Sequence, residues 1–135
     1  MATLAVAAAD GTLRATNAKA AVNLCTALTG NVDSTNVADR GGLTGGGAVV
    51  ITNVDGGSGT TKVDIQGSAD GVAFFNVPYA LVATPRTFVV TQLTITTAAT
   101  RTYLLQEGIF WRFLKIVLSS NTSETLTADF YQSGS

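Results

Sequence analysis

The chain has 135 residues, a formal charge of −1, no histidine, one cysteine, and charged side chains at only 13% of positions. That length reads as one domain. The eight Lys and Arg residues are scattered singly, which excludes a basic face for nucleic acid; one cysteine excludes an intrachain disulfide; the lack of histidine removes the usual general base, metal ligand and pH switch.

The opening stretch, MATLAVAAADGTLR, carries an apolar run that breaks at Asp10-Gly11 and lacks the basic flank of a signal peptide. No segment approaches the ~18 consecutive apolar residues of a membrane helix. The expectation is therefore a protein made in the cytoplasm, unprocessed, with no membrane partner. Residues 1–44 differ from the rest in texture, being rich in Ala, Asn, Thr and Gly. Over 15–28 two periodicities compete. Ala18, Ala21, Val22, Cys25 and Leu28 fit a helical face, whereas Ala20, Val22, Leu24 and Leu28 fit a half-buried strand. Thr, Asn and Val content tips the balance towards extended structure. Cys25, in an apolar setting, reads as a small buried hydrophobe. The Gly-rich run 40–47 reads as a flexible connection, giving an N-terminal arm over 1–44 and a β domain over 45–135.

From residue 48 onward strand signals recur. Residues 48–54 form an apolar strand ended by the turn cluster DGGSG. Residues 60–68 alternate, with Val63 and Ile65 on one face and Lys62, Asp64 and Gln66 on the other. Ala69-Asp70-Gly71 supplies a hairpin turn into a strand over 73–80, whose end Pro78 marks as an edge or bulge. Residues 87–99 place Val89, Thr91, Leu93 and Ile95 on one face. Residues 101–107 and the strongly apolar 109–120 follow, and then a turn at NTSET and a last strand over 125–132. Seven short strands with regular turns predict an all-β, antiparallel β-sandwich, jelly-roll or immunoglobulin-like, with an extended N-terminal arm.

Two groups of side chains are candidates for function. In Ser68-x-Asp70-Gly71, Asp70 can close an Asx-turn and Gly71 can take the left-handed position, which accounts for the motif without a ligand. The same residues, followed by Phe74 and Phe75, resemble the GSnDGxxW signature of discoidin-like sugar-binding sandwiches. A glycan site would then comprise Ser68, Asp70, Phe74, Phe75 and Trp111. The large aromatics of the C-terminal half read more simply as core. Arg112 and Lys115 lie within an apolar strand, where pairing with a carboxylate or a subunit contact is the usual use. The nine scattered acids form no recognisable catalytic pair, so the chain reads as a non-enzyme with no cofactor.

The run VDIQGSADGVAFF, then TFVVTQLTITT, WRFLKIVLSSN and TLTADFY, resembles small β-sandwich structural proteins of tailed bacteriophages, a group that includes head decoration (cement) proteins. The resemblance covers about residues 45–132 and lies in texture and order. It implies a virion protein on the outer surface of a capsid, bound to the major capsid protein and often trimeric, with the N-terminal segment reaching across neighbouring subunits. Assembly contacts would then fall on Leu4, Val6, Leu13, Val22, Leu24 and Leu28 of the arm and on Arg112 and Tyr131. A tail or baseplate protein and a carbohydrate-binding module are the alternatives.

Overall fold

The computed structural model describes residues 6–7, 13–14, 21–41, 46–107 and 111–132, with 6–7, 13–14 and 55–58 described by backbone alone. Two short strands, β1 (Val6–Ala7) and β2 (Leu13–Arg14), pair with each other. The other eight form one antiparallel sheet: β3 (Ala21–Leu28), β4 (Ala38–Asp39), β5 (Gly47–Ser68), β6 (Phe75–Asn76), β7 (Tyr79–Leu81), β8 (Leu93–Ile95), β9 (Ala99–Leu105) and β10 (Phe113–Gln132).

Two long strands organise this sheet. β5 and β10 run antiparallel along their whole lengths, from Phe113 opposite Ser68 to Gln132 opposite Gly47. Each is flanked on its free side by a segmented partner. Along β10 lie β3, an isolated bridge at Asp33 and then β4. Along β5 lie β9, β8 and β6 in turn. β7 adds an outer strand on β9. Both long strands bend at the same level, so the sheet curves on itself into a half-barrel.

The bend lies where turn residues interrupt both strands. DGGSG and NTSET were expected to reverse the chain; instead each lies inside a continuous strand, facing the other. From Ser119 to Glu124, five steps on β10 span seven on β5, from Lys62 to Asp55. The difference is two residues, an even number, so neither strand turns its inner face outward. On β10, Leu114, Ile116 and Leu118 before the bend and Leu126, Ala128 and Phe130 after it are all buried. On β5, Val49 and Ile51 match Val63 and Ile65 in the same way.

Local chemistry holds the bend. Ser120 and Ser123 take positive φ angles of 49° and 67°, which favours short polar residues over branched ones. Between them, the Asn121 side chain accepts from Glu124 N (3.0 Å) and donates to Glu124 O (3.1 Å). Beneath lies a buried polar group. Asn53 Nδ2 donates to Glu124 Oε1 at 2.7 Å, while Asn53 Oδ1 accepts from Ala99 N and Arg101 Nη1. Such groups are tolerated in an interior only when hydrogen-bonded.

Apolar side chains from both sides of the bend meet in one core, including Leu24, Ile51, Ile65, Ile95, Trp111, Ile116 and Phe130. Full burial of each such aliphatic side chain contributes about 1.5–3 kcal/mol. Aromatic pairs add direction: Trp111 meets Phe130 edge-on at 5.8 Å, and Tyr79 meets Tyr103 at 5.7 Å.

Residues 21–41 belong to this sheet. The extended reading holds for Ala21–Leu28, and two register shifts against β10, with Ala27 at φ 51°, let consecutive Leu24 and Cys25 both enter the core. The sheet thus begins well before the division expected at residue 44. The strand expected over 87–99 narrows to Leu93–Ile95 plus a bridge at Val89, because residues 82–92 leave the sheet as an excursion before β8.

Candidate interaction surfaces

The Ser68 turn closes the hairpin between β5 and β6, where Gly67 faces Phe75. The buried Ser68 Oγ accepts from Gly71 N (2.9 Å) and Asp70 N (3.3 Å), and its hydroxyl donates to Asp70 Oδ1 (3.0 Å). Asp70 Oδ1 also accepts from Val72 N (2.8 Å) and Ala73 N (3.0 Å), and Gly71 takes φ 82°. The Ala73 and Val72 N–H groups, with the Ser68 hydroxyl, hold the Asp70 carboxyl below the usual carboxylate range. One carboxylate oxygen and one hydroxyl therefore organise the whole loop.

The expected glycan residues differ in burial. Trp111 is 1% exposed and lies in the core, under the Arg40 guanidinium at 3.5 Å, so it offers no stacking platform and this part of the expectation is corrected. Its place follows from Gly67, where a side chain would collide with Trp111 and Val77. Phe74 is half-buried beneath the Lys115 ammonium, 4.2 Å from the ring centroid. Phe75 is exposed in the two-residue β6, opposite Gly67.

The expected assembly residues divide similarly. Leu24 is fully buried, and Val22 and Leu28 pack against the core, so Leu24 presents no side chain to a partner. Val6 and Leu13 lie in β1 and β2, described by backbone alone, and Leu4 lies outside the described residues. Tyr131 is half-buried on the outward-facing set of β10, between Ala48 and Ala21. Arg112 forms a two-pronged pair with Asp39, Nε to Oδ1 at 2.7 Å and Nη2 to Oδ2 at 2.9 Å. This ties the start of β10 to β4, and the guanidinium remains partly exposed. Lys115 similarly reaches Asp33 Oδ2 at 2.7 Å. Both pairs join β10 to the chain running along its edge.

A third surface was not anticipated. Beyond β7 the chain turns at residues 82–87 and returns so that Val89 bridges Tyr79. Leu81, Val82, Val89 and Val90 are all substantially exposed on this hairpin. Pro85 and Phe88, on the same hairpin, line a groove of about 440 Å³ with Leu104 and Glu107. Its sequence signal was the adjacent pair Val89-Val90, of which Val89 was read above as part of one face of a long strand. Among the described residues no group of three or more His, Cys, Asp or Glu side chains is placed to hold a metal ion.

No family model matches this chain, and no curated protein does. A solved structure does. The chain is similar to the SPBc2 prophage-derived protein YomS, with a TM-score of 0.59 and 8% identity over 84% of this chain and 92% of that one. The likeness is one of fold: nearly the whole of both chains shares an all-β architecture.

Proposed function

We propose that this chain is a non-enzymatic structural protein of a bacteriophage virion, acting as a decoration or cement protein on the outer surface of the head. The observation that carries the reading is the fold shared, nearly end to end, with a prophage-derived protein. The surface is consistent with it. Charged residues are sparse, Arg112 and Lys115 pair with Asp39 and Asp33 along the edge of β10, and most of the exposed apolar groups lie at strand ends and turns. A shell protein of this kind works by burying area at several weak contacts at once, so that multivalency multiplies modest affinities. In this reading the partners are the major capsid protein and further copies of the chain, as a homotrimer at three-fold positions, and the fold counts as a jelly-roll-like sandwich. Tyr131 on β10 and the partly exposed Arg112 just before it are the contact residues.

Mass spectrometry of gradient-purified virions, from a strain carrying this chain, tests the reading. The expected result is the chain at a copy number comparable to the major capsid protein. Its absence from intact particles overturns the proposal. Its presence in isolated tails alone assigns it to the tail or baseplate instead.

A further inference from the structure

We infer that the β7 hairpin and the groove beside it form a contact surface between copies of this chain. The proposal goes beyond the reading above: it is a two-fold contact between copies, separate from the three-fold contact and from capsid binding.

Nine large apolar side chains are exposed among the described residues, and four of them, Leu81 (49%), Val82 (60%), Val89 (39%) and Val90 (54%), fall within ten positions of one hairpin. The others are dispersed, as single exposed apolar residues ordinarily are. The hairpin is also nearly devoid of charge, since Arg86 is the only charged residue between 81 and 92. Across the groove that Pro85 and Phe88 help to line, the opposite wall carries Glu107. Both Arg86 and Glu107 are exposed, and among the described residues neither makes a hydrogen bond or an ion pair.

Charge complementarity selects the occupant. An apolar strip flanked by one cation and one anion is poorly matched to a polyanion or to an anionic lipid surface, which would repel Glu107. A second copy supplies the same strip with the same two charges. Facing it, Arg86 of one copy meets Glu107 of the next while aliphatic side chains of the hairpin are removed from water. A patch that carries both halves of a contact is complementary to itself.

Sedimentation velocity of the purified full chain, without virions, tests this. The wild-type protein is expected to self-associate. Arg86→Glu and Glu107→Arg are each expected to weaken association by about tenfold, and the double reversal to restore it. Val82→Asp is expected to abolish it, with the circular dichroism of every variant unchanged. A wild-type chain that stays monomeric overturns the proposal, and so does a double reversal no tighter than the weaker single variant. Because no capsid is present, failure here leaves the virion assignment standing, and absence from virions leaves this surface standing.

Discussion

The guanidinium of Arg40 lies 3.5 Å above the centre of the Trp111 ring, and its Nε donates to the Trp111 carbonyl at 2.6 Å. Arg40 is only 5% exposed, and burial pulls its pKa below the ordinary arginine value. A planar, delocalised cation suits this place because it can stack and hydrogen-bond at once, whereas an ammonium is a strongly hydrated point charge. Arg40→Lys is therefore expected to cost about 1–3 kcal/mol in urea unfolding. Trp111, the single tryptophan, reports the change directly: its native fluorescence is expected to shift in Arg40→Lys and to stay unchanged in Arg86→Lys.

Gly59 sets the bend of β5. A Cβ there would overlap the Thr122 carbonyl oxygen and lie 3.0 Å from Glu124 Oε2. The neighbour is backbone, so relief requires the two long strands to separate where they curve together. Gly59→Ala is expected to cost more than the ~1–3 kcal/mol of ordinary overpacking. Gly30→Ala is the control, because Gly30 has φ +86° and nothing within 4 Å of the added atom. There only the left-handed backbone is penalised, at about 1–2 kcal/mol. Equal losses in the two variants would show that the bend does not depend on a missing side chain.

The Ser68 turn carries an acid dependence. The carboxyl of Asp70 is held below its ordinary value of 3.8, chiefly by the Ala73 and Val72 N–H groups. A lowered carboxylate contributes stability that is present above the unfolded value and lost as pH falls through the folded one. The turn is thus expected to loosen only below pH 3.8. NMR titration of Asp70 is expected to give a midpoint below that value, moving up in Ser68→Ala as one donor is removed.

At the alkaline end the sign reverses. Burial raises the thiol of Cys25 above 9.0 and the phenol of Tyr103 above 10.0. Raised values contribute stability that is complete below the unfolded pKa and lost as pH rises towards the folded one. Stability is expected to fall as pH passes 9.0, and less steeply in Cys25→Ala. The same burial keeps the thiolate scarce, so a thiol reagent is expected to label Cys25 no faster than the fold opens. Rapid labelling of the native protein at neutral pH would contradict this.

Much of the fold was legible because alternation is a local property. Val63 and Ile65, or Leu126, Ala128 and Phe130, announce an inner face in a few residues, and the structure buries all five. The Asp70 turn was legible for the same reason, since its donors lie within three residues of the acceptor. The bend was not. DGGSG and NTSET carry turn chemistry, and whether such residues reverse a strand or bend it depends on the strand opposite, which lies about sixty residues away in sequence. Leu24 and Cys25 were ambiguous because two bulges break the alternation that would have placed them. Trp111, within an apolar strand, was read more simply as core, and the structure agrees. The β7 hairpin was hidden because Val89 and Val90 look like residues of a long strand, whereas only Val89 pairs, through one bridge to the outer strand β7, and both are exposed.

The proposed place of this protein on the outer surface of a phage head has a direct test. Immunogold labelling of intact virions, with an antibody against the purified chain, measures that directly. The account predicts gold distributed over the outer surface of heads in particles that have not been disrupted. Labelling confined to tails, or unlabelled virions alongside abundant free protein in the lysate, would contradict it.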